Sequence, residues 1–152
     1  MGDTEKGFWG ASITEHLYEF FKKINLQNYK NFLDLGSGDG KVVLIASLFG
    51  LKATGIEFDN DLIKKSKKIR DELKLKADFI QSDFLKHDIS QYSVIFVNPD
   101  KGFERGLEDK LIKNMNPKAK LIVYNQIFLP RFLKKGKTYW FDQVPITIYT
   151  NE

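Results

Sequence analysis

The chain has 152 residues, 42% hydrophobic and 14% aromatic with thirteen Phe, a content that suits one folded domain over residues 1–152 and excludes a disordered chain. The absence of Cys excludes disulfides, thiolate metal sites and cysteine nucleophiles, and two His (His16 and His87) do not make a His-rich metal site, so no metal is expected. The net charge of +4 comes from 24 basic and 20 acidic residues that alternate along most of the chain, and all the basic residues but Arg70, Arg105 and Arg131 are Lys, which is weak support for a nucleic-acid surface.

No apolar run approaches the roughly 20 residues that span a bilayer, and the charged N-terminus is not followed by an apolar stretch. A cytoplasmic protein without membrane insertion is expected. After an aromatic segment with Phe8 and Trp9, Ser12 or Thr14 is placed to cap a helix that carries Leu17, Phe20, Phe21 and Ile24 on one face. Strands are expected at Asn31–Leu35, Ala53–Glu57, Ala77–Gln81, Ser93–Val97 and Lys120–Gln126. Helices are expected near Lys41–Phe49, Asn60–Leu73 (capped by Asp59 or Asn60) and Phe103–Met115. Two strand-like runs close the chain, Lys137–Val144 and Ile146–Thr150, separated only by Pro145. The pattern is α/β: a Rossmann-like, doubly wound, mostly parallel sheet with an antiparallel C-terminal edge hairpin.

The chemistry begins where the first strand turns through Asp34-Leu35-Gly36-Ser37-Gly38-Asp39-Gly40-Lys41 into a helix. Glycines let a backbone approach a ligand closely. The spacing is neither G-x-G-x-x-G nor a P-loop, and Asp34 and Asp39 suit a ligand with an ammonium group better than a pyrophosphate. The next strand ends in Glu57, an acid placed to hold both ribose hydroxyls of a nucleoside, followed by Phe58 to cover an adenine face. Ser82-Asp83-Phe84 follows the third strand, and there a carboxylate can accept from the adenine amino group. Asp34, Glu57 and Asp83 thus end three successive strands, and open α/β sheets bind ligands at these carboxyl ends.

These stretches, with Asn98-Pro99-Asp100, resemble the four motifs of the class I S-adenosylmethionine-dependent methyltransferases from about Tyr29 to Tyr149. The resemblance implies S-adenosylmethionine as cofactor, held by Asp34, Gly36, Ser37, Gly38, Asp39, Gly40, Glu57, Phe58, Asp83, Phe84 and Asn98. Within the superfamily the chain is most similar to small archaeal protein-lysine methyltransferases and their mitochondrial relatives. The stretches that carry this are Gly36–Val43, Ala53–Glu57, Asp83-Phe84 with Ser90-Gln91-Tyr92, and Gly7–Thr14. By that resemblance residues 1–28 cover the cofactor site, and the substrate is a lysine side chain of another protein.

Asn98-Pro99-Asp100-Lys101 also resembles the N-P-P-[aromatic] signature of enzymes that methylate planar amino groups, where the Asn and a Pro carbonyl orient the nitrogen. Asn98 and Pro99 are the catalytic candidates on this basis. The stacking aromatic is replaced by Lys101, a loss of roughly 1 to 3 kcal/mol per base, so a nucleic-acid substrate is the weaker reading. A lysine amine must arrive neutral against a reference pKa of about 10.4, and Phe8, Trp9, Phe103 and Tyr124 are candidates for a dry entrance. Asp100, Glu104 and Glu108 share a helical face that can attract a basic substrate or simply face solvent. The alternatives are an RNA or small-molecule N-methyltransferase and a non-catalytic S-adenosylmethionine-binding protein.

Overall fold

A computed structural model describes residues 2–98 and 106–151, with side chains from residue 13 onward. The helices are α1 (Gly2–Lys23), α2 (Lys41–Ser47), α3 (Asn60–Leu73) and α4 (Leu107–Asn114). The strands are β1 (Asn31–Leu35), β2 (Lys52–Glu57), β3 (Asp78–Gln81), β4 (Val94–Val97), β5 (Lys120–Tyr124), β6 (Lys134–Phe141) and β7 (Val144–Thr150). They form one seven-stranded sheet in the order β3-β2-β1-β4-β5-β7-β6. The first five strands are parallel, and β7 runs antiparallel to both β5 and β6.

Both faces of the sheet are covered, because apolar side chains on the inner strands point alternately to either side. Phe32, Phe96, Ile122 and Tyr124 pack towards α1, α2 and α3 with Phe20, Phe21 and Val43. Leu33, Ile95, Leu121 and Val123 point the other way, to Leu107, Leu111 and Met115 of α4 and its end. The order reverses between β1 and β4, so a crevice opens at the carboxyl ends of these strands.

Several boundaries differ from the sequence reading. Helix α1 starts at Gly2, not at a cap on Ser12 or Thr14. No Pro precedes Ser12, Asp3 and Glu5 suit the first turn of a helix, and Gly7 and Gly10 each cost only about 1 kcal/mol inside one. The hairpin turn is at Asp142-Gln143, with Asp142 left-handed at φ 56°, and not at Pro145. Pro145 sits second in β7 opposite Trp140, and its carbonyl accepts the Asn125 N–H at 2.8 Å. Strand β6 also begins three residues earlier than expected, at Lys134, with an irregular register between Lys135 and Thr138.

Candidate active site

The loop from β1 to α2 is tied to the strand beside it: the N–H groups of Gly36 and Ser37 both donate to the Ile56 carbonyl at 2.8 Å. Two of its glycines are required for different reasons. A Cβ on Gly40, at φ +84°, would lie 2.8 Å from the Phe79 ring and the Ser66 hydroxyl, so this glycine serves the packing of α2 and α3. A Cβ on Gly38, at φ +55°, would meet nothing within 4 Å, so this glycine faces open space.

That space is a cleft of about 580 Å³, within the roughly 300 to 1,000 Å³ of small-molecule sites. Gly36 and Gly38 form one wall, Glu57 and Phe58 the end of β2, Asp83 and Phe84 the segment after β3, and Asn98 the end of β4. Glu57 holds this arrangement together: Oε1 accepts the Gly38 N–H at 2.8 Å and Oε2 the Asp59 N–H at 3.0 Å. Each oxygen keeps a further lone pair. Phe58 is largely exposed at the rim. Asp83 Oδ1 accepts the Leu85 N–H at 2.9 Å, which fixes the turn that carries it.

Four of the expected cofactor residues, Asp34, Ser37, Asp39 and Gly40, are not in the cleft wall. Asp34 is buried at the end of β1 and is not part of the cleft wall; burial, then the Glu57 and Asp39 carboxylates, push its carboxyl well above the usual range. Asp39 accepts the Lys41 N–H at 3.2 Å and faces an apolar groove beside α2 and α3 instead. Gly40 has the packing role above. The Ser37 hydroxyl is buried without a hydrogen-bond partner.

Asn98 also lines a second cleft, of about 420 Å³, with Tyr124, Ile13, Gln143, Val144 and Pro145. Tyr124 is buried, which pushes its phenol up. Asn125 and Gln126 complete this wall; the sequence reading missed them and Gln143, although their place directly after β5 and in the last hairpin was a usable signal. Pro99, Asp100, Phe103 and Glu104 lie outside the described residues, and Phe8 and Trp9 belong to α1, whose side chains are described from Ile13. Glu108 does not face either cleft: its carboxylate accepts the N–H groups of Arg131, Phe132 and Leu133. Among the described residues no group of three or more His, Cys, Asp or Glu is placed to hold a metal ion.

The family described as the ANTKMT methyltransferase domain matches residues 34–129, a stretch that holds the lining of the first cleft and Asn98, Tyr124, Asn125 and Gln126 of the second. The chain belongs to this family. It is a class I S-adenosylmethionine-dependent methyltransferase domain. It is 34% identical over 95 residues to an ATP synthase lysine N-methyltransferase of Caenorhabditis elegans, covering 56% of this chain and 50% of that protein. The human enzyme of the same name is 37% identical over 89 residues, covering 52% and 38%. The chain thus spans half or less of these relatives' length. A Salinibacter ruber RNA methyltransferase crystallised with S-adenosyl-L-homocysteine shares the fold, with a TM-score of 0.77 at 24% identity over 91% of this chain and 89% of that one. The residues present fit the family's cofactor: the first cleft has the volume, an open glycine backbone, an orphan hydroxyl behind it and an acid with free lone pairs. No helix among the described residues is long and apolar enough to cross a membrane.

Proposed function

We propose that this methyltransferase domain transfers the methyl group of S-adenosylmethionine to lysine side-chain amines of other proteins. The observation that carries the reading is the position of Asn98, which belongs to the walls of both clefts, so that a donor in the first and an amine in the second meet at one side chain. When bound, the cofactor supplies an electrophilic methyl on a sulfonium. In this reading Gly36 and Gly38 admit it by their backbone, Glu57 takes the ribose hydroxyls, Phe58 and Phe84 flank the adenine and Asp83 accepts from its amino group.

The Asn98 side-chain carbonyl and the Pro99 carbonyl orient the lysine nitrogen. The amine must be neutral to attack; the N–C bond then forms as the C–S bond breaks, and the amine's extra proton leaves to solvent. Positioning supplies most of the rate in such a transfer. Ile13, Tyr124, Val144 and Pro145 support this by giving the second cleft an apolar part beside its amide side chains, which disfavours an ammonium ion. Phe8, Trp9 and Phe103 are proposed to complete that entrance. Tyr124 stays protonated to higher pH than an ordinary phenol, so it serves as wall and hydrogen-bond donor and not as a base. The names of the curated relatives support lysine as the acceptor, and the cytoplasmic location expected from the sequence is kept in this reading.

Incubating the protein with methyl-labelled cofactor and a cell extract, then separating protein, RNA and small molecules, tests the reading. Label is expected in the protein fraction. Label mainly in RNA or small molecules would move the acceptor to the alternative class, and binding without any transfer would leave only a cofactor-binding domain.

A further inference from the structure

We propose that the loop joining β5 to β6 is a docking tip that seats the protein on the surface of an anionic lipid bilayer. The loop exposes Ile127 (50%), Leu129 (67%) and Phe132 (79%), and Trp140 on the adjoining edge strand β6 is 58% exposed. Apolar side chains grouped on a monomer surface mark an interaction site more often than scattered ones do. These are not the side chains of a frayed segment. Phe128 and Leu133 anchor the loop in the core on the α4 side, the Glu108 carboxylate accepts the three successive N–H groups of Arg131, Phe132 and Leu133 at 2.9, 2.8 and 3.2 Å, and Asn125 Oδ1 accepts the Ile127 N–H at 3.0 Å. The backbone is built so that one set of apolar residues is buried and the other is held out in water.

Charge selects the occupant. Arg131, Lys134, Lys135 and Lys137 are all exposed beside these residues. From Lys110 to Phe141 the sequence carries eight Lys or Arg and no Asp or Glu, so this stretch is net positive; of the acids outside it, Glu108 is held by the loop amides and Asp109 lines the same hollow as Ile127, Leu129 and Arg131. Apolar tips rimmed by Lys and Arg match the boundary between acyl chains and anionic headgroups. Nucleic acid is the poorer match, because it would use only Phe132 and Trp140 as stacking planes and leave Ile127 and Leu129 in water, whereas a bilayer takes all four. The base of the loop, Asn125 and Gln126, lines the second cleft. A bilayer under the tip therefore lies next to that cleft, so substrates presented at a membrane surface have the shortest path to it.

The test is co-sedimentation with vesicles of phosphatidylcholine alone and of phosphatidylcholine with roughly one part in four phosphatidylserine. The wild-type chain is expected to bind the anionic vesicles, less so as salt is raised, and to leave the neutral ones in solution. The double variants Leu129→Glu/Phe132→Glu and Lys134→Glu/Lys135→Glu each lose about tenfold or more of that binding and keep the wild-type melting temperature, since the altered side chains are exposed. Absence of binding to anionic vesicles, or equal binding by wild type and both variants, would overturn the proposal. So would a single-stranded RNA oligonucleotide that binds more tightly than the vesicles and is released by the Lys variant but not by the Leu129→Glu/Phe132→Glu variant.

Discussion

Glu57 reaches from the end of β2 to the glycine loop, where its Oε1 accepts the Gly38 N–H at 2.8 Å, while Oε2 accepts the Asp59 N–H at 3.0 Å. One carboxylate thus couples the loops after β1 and β2 and also faces the first cleft. Glu57→Gln keeps one acceptor and turns an amide N–H₂ towards a backbone donor. It is expected to weaken cofactor binding by about 1.5 to 3 kcal/mol for the charged hydrogen bond lost, and Glu57→Ala by more. Isothermal titration of folded variants checks this, and unchanged affinity would remove Glu57 from the site.

Gly38 and Gly40 separate ligand binding from packing. Gly38→Ala leaves the core alone and costs roughly 1 to 2 kcal/mol of backbone strain, but its new methyl stands in the open space of the cleft. Affinity should fall far more than stability. Gly40→Ala drives a methyl against the Phe79 ring and Ser66, so its melting temperature should fall first, with overpacking of about 1 to 3 kcal/mol added to the strain. Equal effects of the two changes on melting and binding would contradict the division.

Much of this was legible in the sequence. Strands β4 and β5 are buried on both faces and read as apolar runs, Val94-Ile-Phe-Val97 and Leu121-Ile-Val-Tyr124, while β1 and β2 carry Asp34 and Thr54 within their buried stretches. The carboxylate-ended strands followed by a glycine loop located the first cleft. The second cleft was harder, because Gln143 and Asn125 carry no chemical signature and meet Asn98 only once β7 pairs between β5 and β6. Pro145 misled as a turn signal. Its missing N–H is tolerated near the start of β7, and Asp142 supplies the left-handed turn residue. Nothing local marks Glu108 as the acceptor for amides 23 to 25 residues away.

Asp34 sets a pH dependence. Its folded-state carboxyl titrates well above the unfolded one, first through burial and then through Glu57 and Asp39. Above about pH 4, where an ordinary Asp ionises, the unfolded chain releases a proton that the folded chain keeps, so rising pH costs stability until Asp34 ionises in the fold. Asp34→Asn removes this term. The cofactor-free variant should melt above wild type at neutral pH, by a margin that shrinks as pH falls towards about 4. A margin constant across that range would mean that Asp34 does not titrate as described.

Glu108→Ala strips three loop amides of their acceptor. The expected cost is about 1 to 3 kcal/mol, with the exposed part of the loop re-satisfied by water. Trypsin should then cut after Arg131 faster than in wild type, while the first cleft keeps its cofactor affinity. An unchanged cleavage rate would show that Phe128 and Leu133 alone hold the loop.

Methyl transfer to lysine is read out by hydrolysing a protein pool labelled by this enzyme with methyl-labelled S-adenosylmethionine and identifying the labelled amino acids. The expected product is methyl-lysine. Its yield should rise towards alkaline pH as more of the amine, with its reference pKa of about 10.4, is neutral, and should collapse with Asn98→Ala. Label on any other residue, or methyl-lysine formed equally well by Asn98→Ala, would contradict the account.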